Sequence, residues 1–175
     1  MRPKNQEFRG LMFELVQLFK PEVYVEVGVQ KGYTFNHLAP HVGRAVAVDI
    51  QIQKSITRLP NVEVYEMESI KFVSQWKTPI DMLFIDADHR EESVLKDFHI
   101  LLPHMRMGSG IVMLHDTHPM SEDLTSDRFC STAWRAAERI RDKSKEIGVE
   151  IVTLPGPAYG LSIVRVLGPH YLSWR

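Results

Sequence analysis

Cysteine occurs once in the 175 residues, as Cys130. No internal disulfide framework can staple the chain, and such usage fits a reducing cytoplasm. We expect Cys130 itself to be an incidental thiol. No apolar run approaches the roughly 20 residues needed to span a bilayer. The opening stretch, Met1 to Gln6, has no apolar segment of signal-peptide type behind it. Neither sign of charge prevails: 21 Lys and Arg stand against 22 Asp and Glu, a net of −1. Nothing in that balance points to nucleic acid or an anionic membrane as a partner. Internal repeats and low-complexity tracts are absent. What is present is an ordinary globular composition, 44% hydrophobic and 25% charged, long enough for one domain with a single substantial core.

Hydrophobic periodicity divides the chain into alternating elements. Phe8, Leu11, Met12, Leu15, Val16 and Phe19 predict a helix over 7–19, closed off by Pro21. Strands are predicted at 23–27, 45–48, 62–65, 82–85 and 111–114. Helices are predicted at 33–38, 70–76 and 91–102, the last with Val94, Leu95, Phe98 and Leu101 on one face. A charged amphipathic helix over 132–147 ends at Gly148. Two closing strands, 149–154 and 161–166, are separated by Pro155-Gly156-Pro157, which reads as a hairpin turn. The alternation predicts an α/β fold with a parallel sheet, helices on both faces and an antiparallel end. No linker divides residues 1–175.

The most informative stretch is Met82-Leu83-Phe84-Ile85-Asp86-Ala87-Asp88-His89, a buried-strand pattern running into two acids and a histidine. Ligands of open α/β sheets bind just beyond the carboxyl ends of such strands. The arrangement recurs at Ile111-Val112-Met113-Leu114, followed by His115-Asp116. Two buried strands that each end in acid plus histidine point to one shared site holding a metal. Asp88 either orients His89 or a ligand, or caps the following helix.

A second signal lies in Glu26-Val27-Gly28-Val29-Gln30-Lys31-Gly32, at the first strand-to-helix turn. Glycines there let the backbone pass close to a ligand. Asp49 ends the second strand, where a carboxylate can accept hydrogen bonds from both hydroxyls of a ribose. The three-glycine fingerprint of dinucleotide binding is not met, because Glu26 stands where its first glycine should be. An acid is unfavourable beside a pyrophosphate and useful beside an amine-bearing, cationic cofactor.

Glu26, Gly28, Gly32 and Asp49 together resemble the first two motifs of the class I S-adenosylmethionine-dependent methyltransferases, and the resemblance extends over nearly the whole chain. It implies a Rossmann-like three-layer sandwich with a seven-stranded, mostly parallel sheet of order 3-2-1-4-5-7-6 and an antiparallel last strand. It also implies S-adenosylmethionine as cofactor, with Glu66-Met67-Glu68-Ser69 flanking the adenine. Implied cofactor contacts are Glu26, Gly28, Gly32, Asp49, Glu68, Ser69 and Asp86. The segment Asp86–His89 narrows the resemblance to metal-dependent O-methyltransferases of small molecules, in the branch of macrolide and antibiotic-sugar O-methyltransferases and cephalosporin-hydroxylase-like proteins. By that likeness Asp86, His115 and Asp116 bind a divalent metal and His89 is the general base.

One departure stands out. The family usually carries an oxygen ligand where this chain has His115. Magnesium prefers oxygen, whereas imidazole suits manganese, iron, zinc or nickel. Three readings follow: a metal other than magnesium, His115 outside the coordination shell, or a degenerate site. The activities open at this level are O-methylation of a small hydroxylated acceptor, a hydroxylase-like metal enzyme on the same scaffold, and a cofactor-binding module without turnover. The polar segment 117–130 is expected to bind the acceptor, with His118 exposed. Expected partners are a small molecule, not nucleic acid or a membrane. The short chain leaves an open acceptor site, a site completed in a homodimer, or reduced activity. Asp97, His37, His41, His99, His104 and His170 are read as structural or exposed, and Trp76, Trp134 and Trp174 as packing anchors. The basic run Arg135, Arg139, Arg141, Lys143 and Lys145, interleaved with Glu138, Asp142 and Glu146, reads as a solvated helix face.

Overall fold

A computed structural model describes residues 6–156 and 159–168. His170, Trp174 and Pro157 of the predicted hairpin turn lie outside these residues. The elements run α1 (Gln6–Phe19), β1 (Val23–Val27), α2 (Phe35–Leu38), β2 (Arg44–Asp49), β3 (Val62–Glu66), α3 (Ser69–Gln75), β4 (Met82–Ile85), α4 (Glu91–Leu101), β5 (Ile111–His115), α5 (Ala133–Asp142), α6 (Ser144–Ile147), β6 (Val149–Leu154) and β7 (Leu161–Val166). The seven strands form one sheet in the order β3-β2-β1-β4-β5-β7-β6. The pairs from β3 through β5 are parallel, and β7 runs antiparallel to both β5 and β6. This is the predicted architecture, reversed strand included. Among the described residues no helix is long and apolar enough to cross a membrane.

Side chains alternate across a strand, and the alternation sorts them into two cores. Val23, Val25 and Val27 of β1, Leu83 and Ile85 of β4, and Val112 and Leu114 of β5 meet Phe72, Trp76, Phe98 and Ile140 of the helices on one face. Tyr24, Met82, Phe84, Ile111 and Met113 face the other way, onto Phe8, Met12 and Val16 of α1 and Phe35 and Leu38 of α2. Complete burial of a large apolar side chain contributes about 1.5–3 kcal/mol, so the two faces together supply the main drive for the fold. The same parity places three polar groups. Glu26 follows Tyr24, Asp86 follows Phe84, and His115 follows Met113, so all three belong to the α1/α2 face at the carboxyl end of the sheet.

Two predicted helices are shorter than expected. The helix predicted over 33–38 begins only at Phe35 and passes into a 3-10 turn at Ala39–His41, where Pro40 lacks the amide a regular turn requires. The helix predicted over 132–147 is two, broken at Lys143 with φ −100° and ψ 6°. After Ile140 the next apolar residue is Ile147, so residues 141–146 offer nothing to bury against the sheet. Gly148 ends the second piece in the left-handed conformation, as predicted.

Candidate active site

A cleft of about 830 Å³ runs along the carboxyl ends of β1, β2, β4 and β5. Its floor on one side is the turn after β1. Gly28 has φ +88°, and a Cβ there would lie 2.3 Å from the Asp86 carbonyl oxygen and 2.5 Å from Ala87 Cα. The glycine therefore permits contact between this turn and the turn after β4. The Asp86 amide, which donates to the Val27 carbonyl at 2.9 Å, reinforces that contact. Gly32 does not line the cleft. It has φ +74°, and its missing Cβ leaves room for Ile56 Cδ1, so it supports the loop from behind.

Glu26 is buried, with 2% of its surface exposed. Burial pushes its carboxyl up to about 8, against the lowering effect of the Tyr24 hydroxyl, which donates to it at 2.5 Å. Asp49 accepts from the Gln30 amide at 2.8 Å and the Gln51 amide at 3.0 Å. It thereby ties the first turn to the segment after β2 while each oxygen keeps a free lone pair. Glu68 and Ser69 line the same cleft. Glu68 is ion-paired with Lys71 at 3.1 Å, and the Ser69 hydroxyl donates to Asp97. Asp97, read as structural or exposed, is not solvated. It is 9% exposed, lines the cleft, and has its carboxyl raised by burial.

At the far end of the cleft the two strand ends converge. His115 Nδ1 lies 3.1 Å from Asp86 Oδ1 and 3.3 Å from Asp116 Oδ2. One ligand atom from each of the three residues falls within 4.8 Å of the other two. His115 and Asp116 are sequence neighbours and would point to opposite faces on a regular strand. Asp116 instead takes φ +60°, a conformation that costs a non-glycine residue roughly 1–3 kcal/mol, and turns its carboxylate back toward the histidine. The Cys130 thiol, 3.7 Å from Asp116 Oδ1, holds the other oxygen. Burial pushes that thiol up to about 12, so it is a fixed donor rather than a reactive group.

The His115 ring is buried among Phe8, Phe84 and Tyr159, at centroid distances of 5.7, 6.1 and 6.2 Å. Burial lowers its pKa, but the charges of Asp86 and Asp116 outweigh this and hold it well above 6.5. Despite the short distances, Nδ1 makes no hydrogen bond of acceptable geometry. A buried nitrogen without a partner, facing two carboxylates, fits a divalent cation at the shared point.

His89 sits across the carboxylates from His115, its Nε2 3.2 Å from Asp116 and 3.8 Å from Asp86. Its Nδ1 is bonded to the Phe129 carbonyl. A carbonyl only accepts, so Nδ1 donates, and Nε2 is left facing the site. Further bonds hold the backbone here: Thr132 N–H donates to the His89 carbonyl at 3.1 Å, and the Thr132 hydroxyl accepts from Glu91 N–H at 2.8 Å. Asp88 caps the turn, accepting from the Arg90 amide and the Ser93 hydroxyl. The Arg90 guanidinium holds its carboxyl at about 2.

Arg128, Phe129 and Tyr159 also line the cleft, and sequence reasoning passed over them. Tyr159 sits between β6 and β7 and stacks on Phe129 at 6.1 Å, a meeting of distant segments with no local signal. Of segment 117–130, only its end reaches this cleft. The stretch from Thr117 to Thr125 lines a separate cleft of about 490 Å³, beside Trp134 and Arg141. His118 is exposed there. Among the remaining histidines, His37 and His41 pack against Phe13 and His99 against Phe98. Trp76 packs in the core, and Arg139 pairs with Glu91 at 3.2 Å on the solvated face.

A sheet of this order with a reversed seventh strand, and a cleft built on an acid, a glycine turn and a strand-ending aspartate, define the class I S-adenosylmethionine-dependent methyltransferases. The profile described as "Methyltransferase domain" matches residues 25–117, over half of the chain, and the chain belongs to that family. A probable cobalt-precorrin-6B C(15)-methyltransferase (decarboxylating) of Archaeoglobus fulgidus is 26% identical over 96 residues, which is 53% of this chain and 58% of that protein. The chain thus matches a little over half the length of this curated relative. Among solved structures, the O-methyltransferase TomG of Streptomyces achromogenes, in complex with S-adenosylmethionine, superposes with a TM-score of 0.67 and 20% identity, over 92% of this chain and 80% of that one. A Bacillus cereus O-methyltransferase, in complex with S-adenosylhomocysteine, gives 0.68 and 19%, over 93% and 81%. At such identities these two likenesses concern the fold.

Proposed function

We propose that this chain transfers a methyl group from S-adenosylmethionine to a hydroxyl of a small acceptor, with a divalent cation assisting. The observation that carries the reading is the position of His89 Nε2: the ring is held through Nδ1 by the Phe129 carbonyl, and Nε2 faces the end of the cofactor cleft, 3.2 Å from the Asp116 carboxylate. When bound, S-adenosylmethionine supplies a methyl group whose carbon–sulfur bond breaks with the electron pair on sulfur, and a dication at Asp86, His115 and Asp116 lowers the pKa of an acceptor hydroxyl by several units. His89 accepts the hydroxyl proton at Nε2. Glu26 would hold the cofactor's ammonium and Asp49 its ribose hydroxyls. The rigid β1–β4 contact at Gly28 holds the cofactor turn and the Asp86 turn in one register, and such fixed proximity of two reactants lowers the barrier. Arg128, Phe129 and Tyr159 form the wall against which the acceptor packs.

The test is calorimetric titration with S-adenosylhomocysteine, followed by radiolabelled methyl transfer to phenol, catechol and sugar acceptors with and without manganese. Saturable cofactor binding and metal-dependent transfer are expected. Absence of cofactor binding refutes the reading, and binding with no transfer to any acceptor class makes the chain a cofactor-binding module.

A further inference from the structure

We infer that the dication site selects a first-row transition metal over magnesium, and that His115 Nδ1 is the selecting donor. The inference rests on the proposed function for the presence of a cation, not for its identity. Three features carry it. First, the nitrogen cannot leave the site. The His115 side chain is 7% exposed, and the rings of Phe8, Phe84 and Tyr159 enclose it. Any ion that reaches both Asp86 Oδ1 and Asp116 Oδ2 meets Nδ1 as well, because the three atoms lie within 4.8 Å of one another. Second, that nitrogen has no competing partner, since its contacts with the two carboxylates at 3.1 and 3.3 Å lack hydrogen-bond geometry. Third, the two carboxylates of the donor set balance a double positive charge, and a cation that displaces the proton held between them gains the imidazole nitrogen as a third donor.

Magnesium demands near-ideal octahedral oxygen coordination and gives up its water reluctantly, whereas imidazole is a favoured ligand of manganese, iron, cobalt, nickel and zinc. Replacing one oxygen by a fixed nitrogen therefore moves the preference along the series from manganese toward zinc. Asp116 adds rigidity. Its left-handed backbone and the Cys130 thiol on its second oxygen fix the direction from which it binds. Outer partners of this kind tune metal ligands.

The experiment uses the full chain stripped of metal by chelator. Calorimetry compares Mg²⁺, Mn²⁺ and Co²⁺, and visible absorption of the Co²⁺ form reports coordination directly. Cobalt is expected to bind on the order of 100-fold more tightly than magnesium, with manganese between. Electron spin echo spectroscopy of the Mn²⁺ form should show coupling to a directly bound histidine nitrogen. His115→Asn, which offers an amide oxygen in place of the ring, should bring the cobalt-to-magnesium ratio down about tenfold or more. Should that variant not fold, the parent protein's ratio and nitrogen coupling still decide. Magnesium binding as tight as cobalt, or bound manganese with no nitrogen coupling, overturns the inference. If S-adenosylhomocysteine binds and no dication does, this inference and the metal assistance fall while cofactor use stands. If neither binds, the methyl-transfer reading falls with them.

Discussion

Gly28→Ala should damage the dication site as well as the cofactor turn. The new Cβ would stand 2.3 Å from the Asp86 carbonyl oxygen and 2.5 Å from both Ala87 N and Cα, all backbone atoms that cannot rotate aside. At φ +88° an L side chain also carries roughly 1–2 kcal/mol of local strain. Forcing the two turns apart adds about 1–3 kcal/mol, for a total of roughly 2–5 kcal/mol. In a domain of this size each kcal/mol lowers Tm by about 2–4 °C, so a fall on the order of 10 °C is expected. Asp86 moves with the turn, and Co²⁺ affinity should fall with it. Gly32→Ala is the control within the same motif. Its Cβ meets the end of the Ile56 side chain at 2.5 Å and the Asn36 side chain at 3.1 Å, and both can move. That change should cost about 1–2 kcal/mol, mostly strain, and leave Co²⁺ affinity intact. Thermal denaturation and cobalt titration of the two variants decide. Equal loss of metal affinity in both, or a Gly28→Ala protein as stable as the parent, would refute the coupling between the two turns.

Glu26→Gln should flatten the pH dependence of stability. The folded carboxyl ionises at about 8 against a usual 4.5, so between those values the folded protein holds a proton the unfolded chain has released. Stability of the parent therefore falls as pH rises through that window, by about 1.4 kcal/mol per pH unit where the difference is complete, and urea denaturation from pH 5 to 8 measures it. An ammonium placed beside Glu26 favours its ionised form, so cofactor binding near pH 6.5 should release about one proton, read from calorimetry in two buffers. His89→Ala should lower kcat by about 10²–10⁴ and leave S-adenosylhomocysteine affinity unchanged, as transfer kinetics and calorimetry will show. Cys130→Ala removes the donor to Asp116 and should weaken Co²⁺ binding about tenfold, measured by the same titration, with the fold retained by circular dichroism.

How much of this was readable in advance follows the range of the forces involved. Strand and helix patterns depend on residues a few positions apart. Hence β1 to β7 appear where alternation and apolar runs put them, and the parallel-to-antiparallel change follows from the missing helix between β6 and β7. The break at Lys143 was missed although its signal is in the sequence: no apolar residue stands between Ile140 and Ile147, so nothing holds that stretch against the sheet. For the site, Asp86, His89, His115 and Asp116 were singled out because they follow buried strands, where an α/β sheet presents its ligands. Tyr159, Phe129 and the role of Cys130 carried no such mark, for each acts through a segment far away in sequence.

The residue pattern by itself determined the strands, a parallel sheet with an antiparallel end, and the acids and histidines at the strand ends, since these depend on local periodicity and element order; the order of the strands came only with the resemblance to the methyltransferases. Only the tertiary structure decided how those groups are used. It joined the Gly28 turn to the Asp86 turn, turned Asp116 back against the strand's alternation, and enclosed His115 so that its nitrogen must face the carboxylates. It also set the proton of His89 on Nδ1 through a carbonyl 40 residues away. These are contacts between distant segments, and no local pattern encodes their geometry.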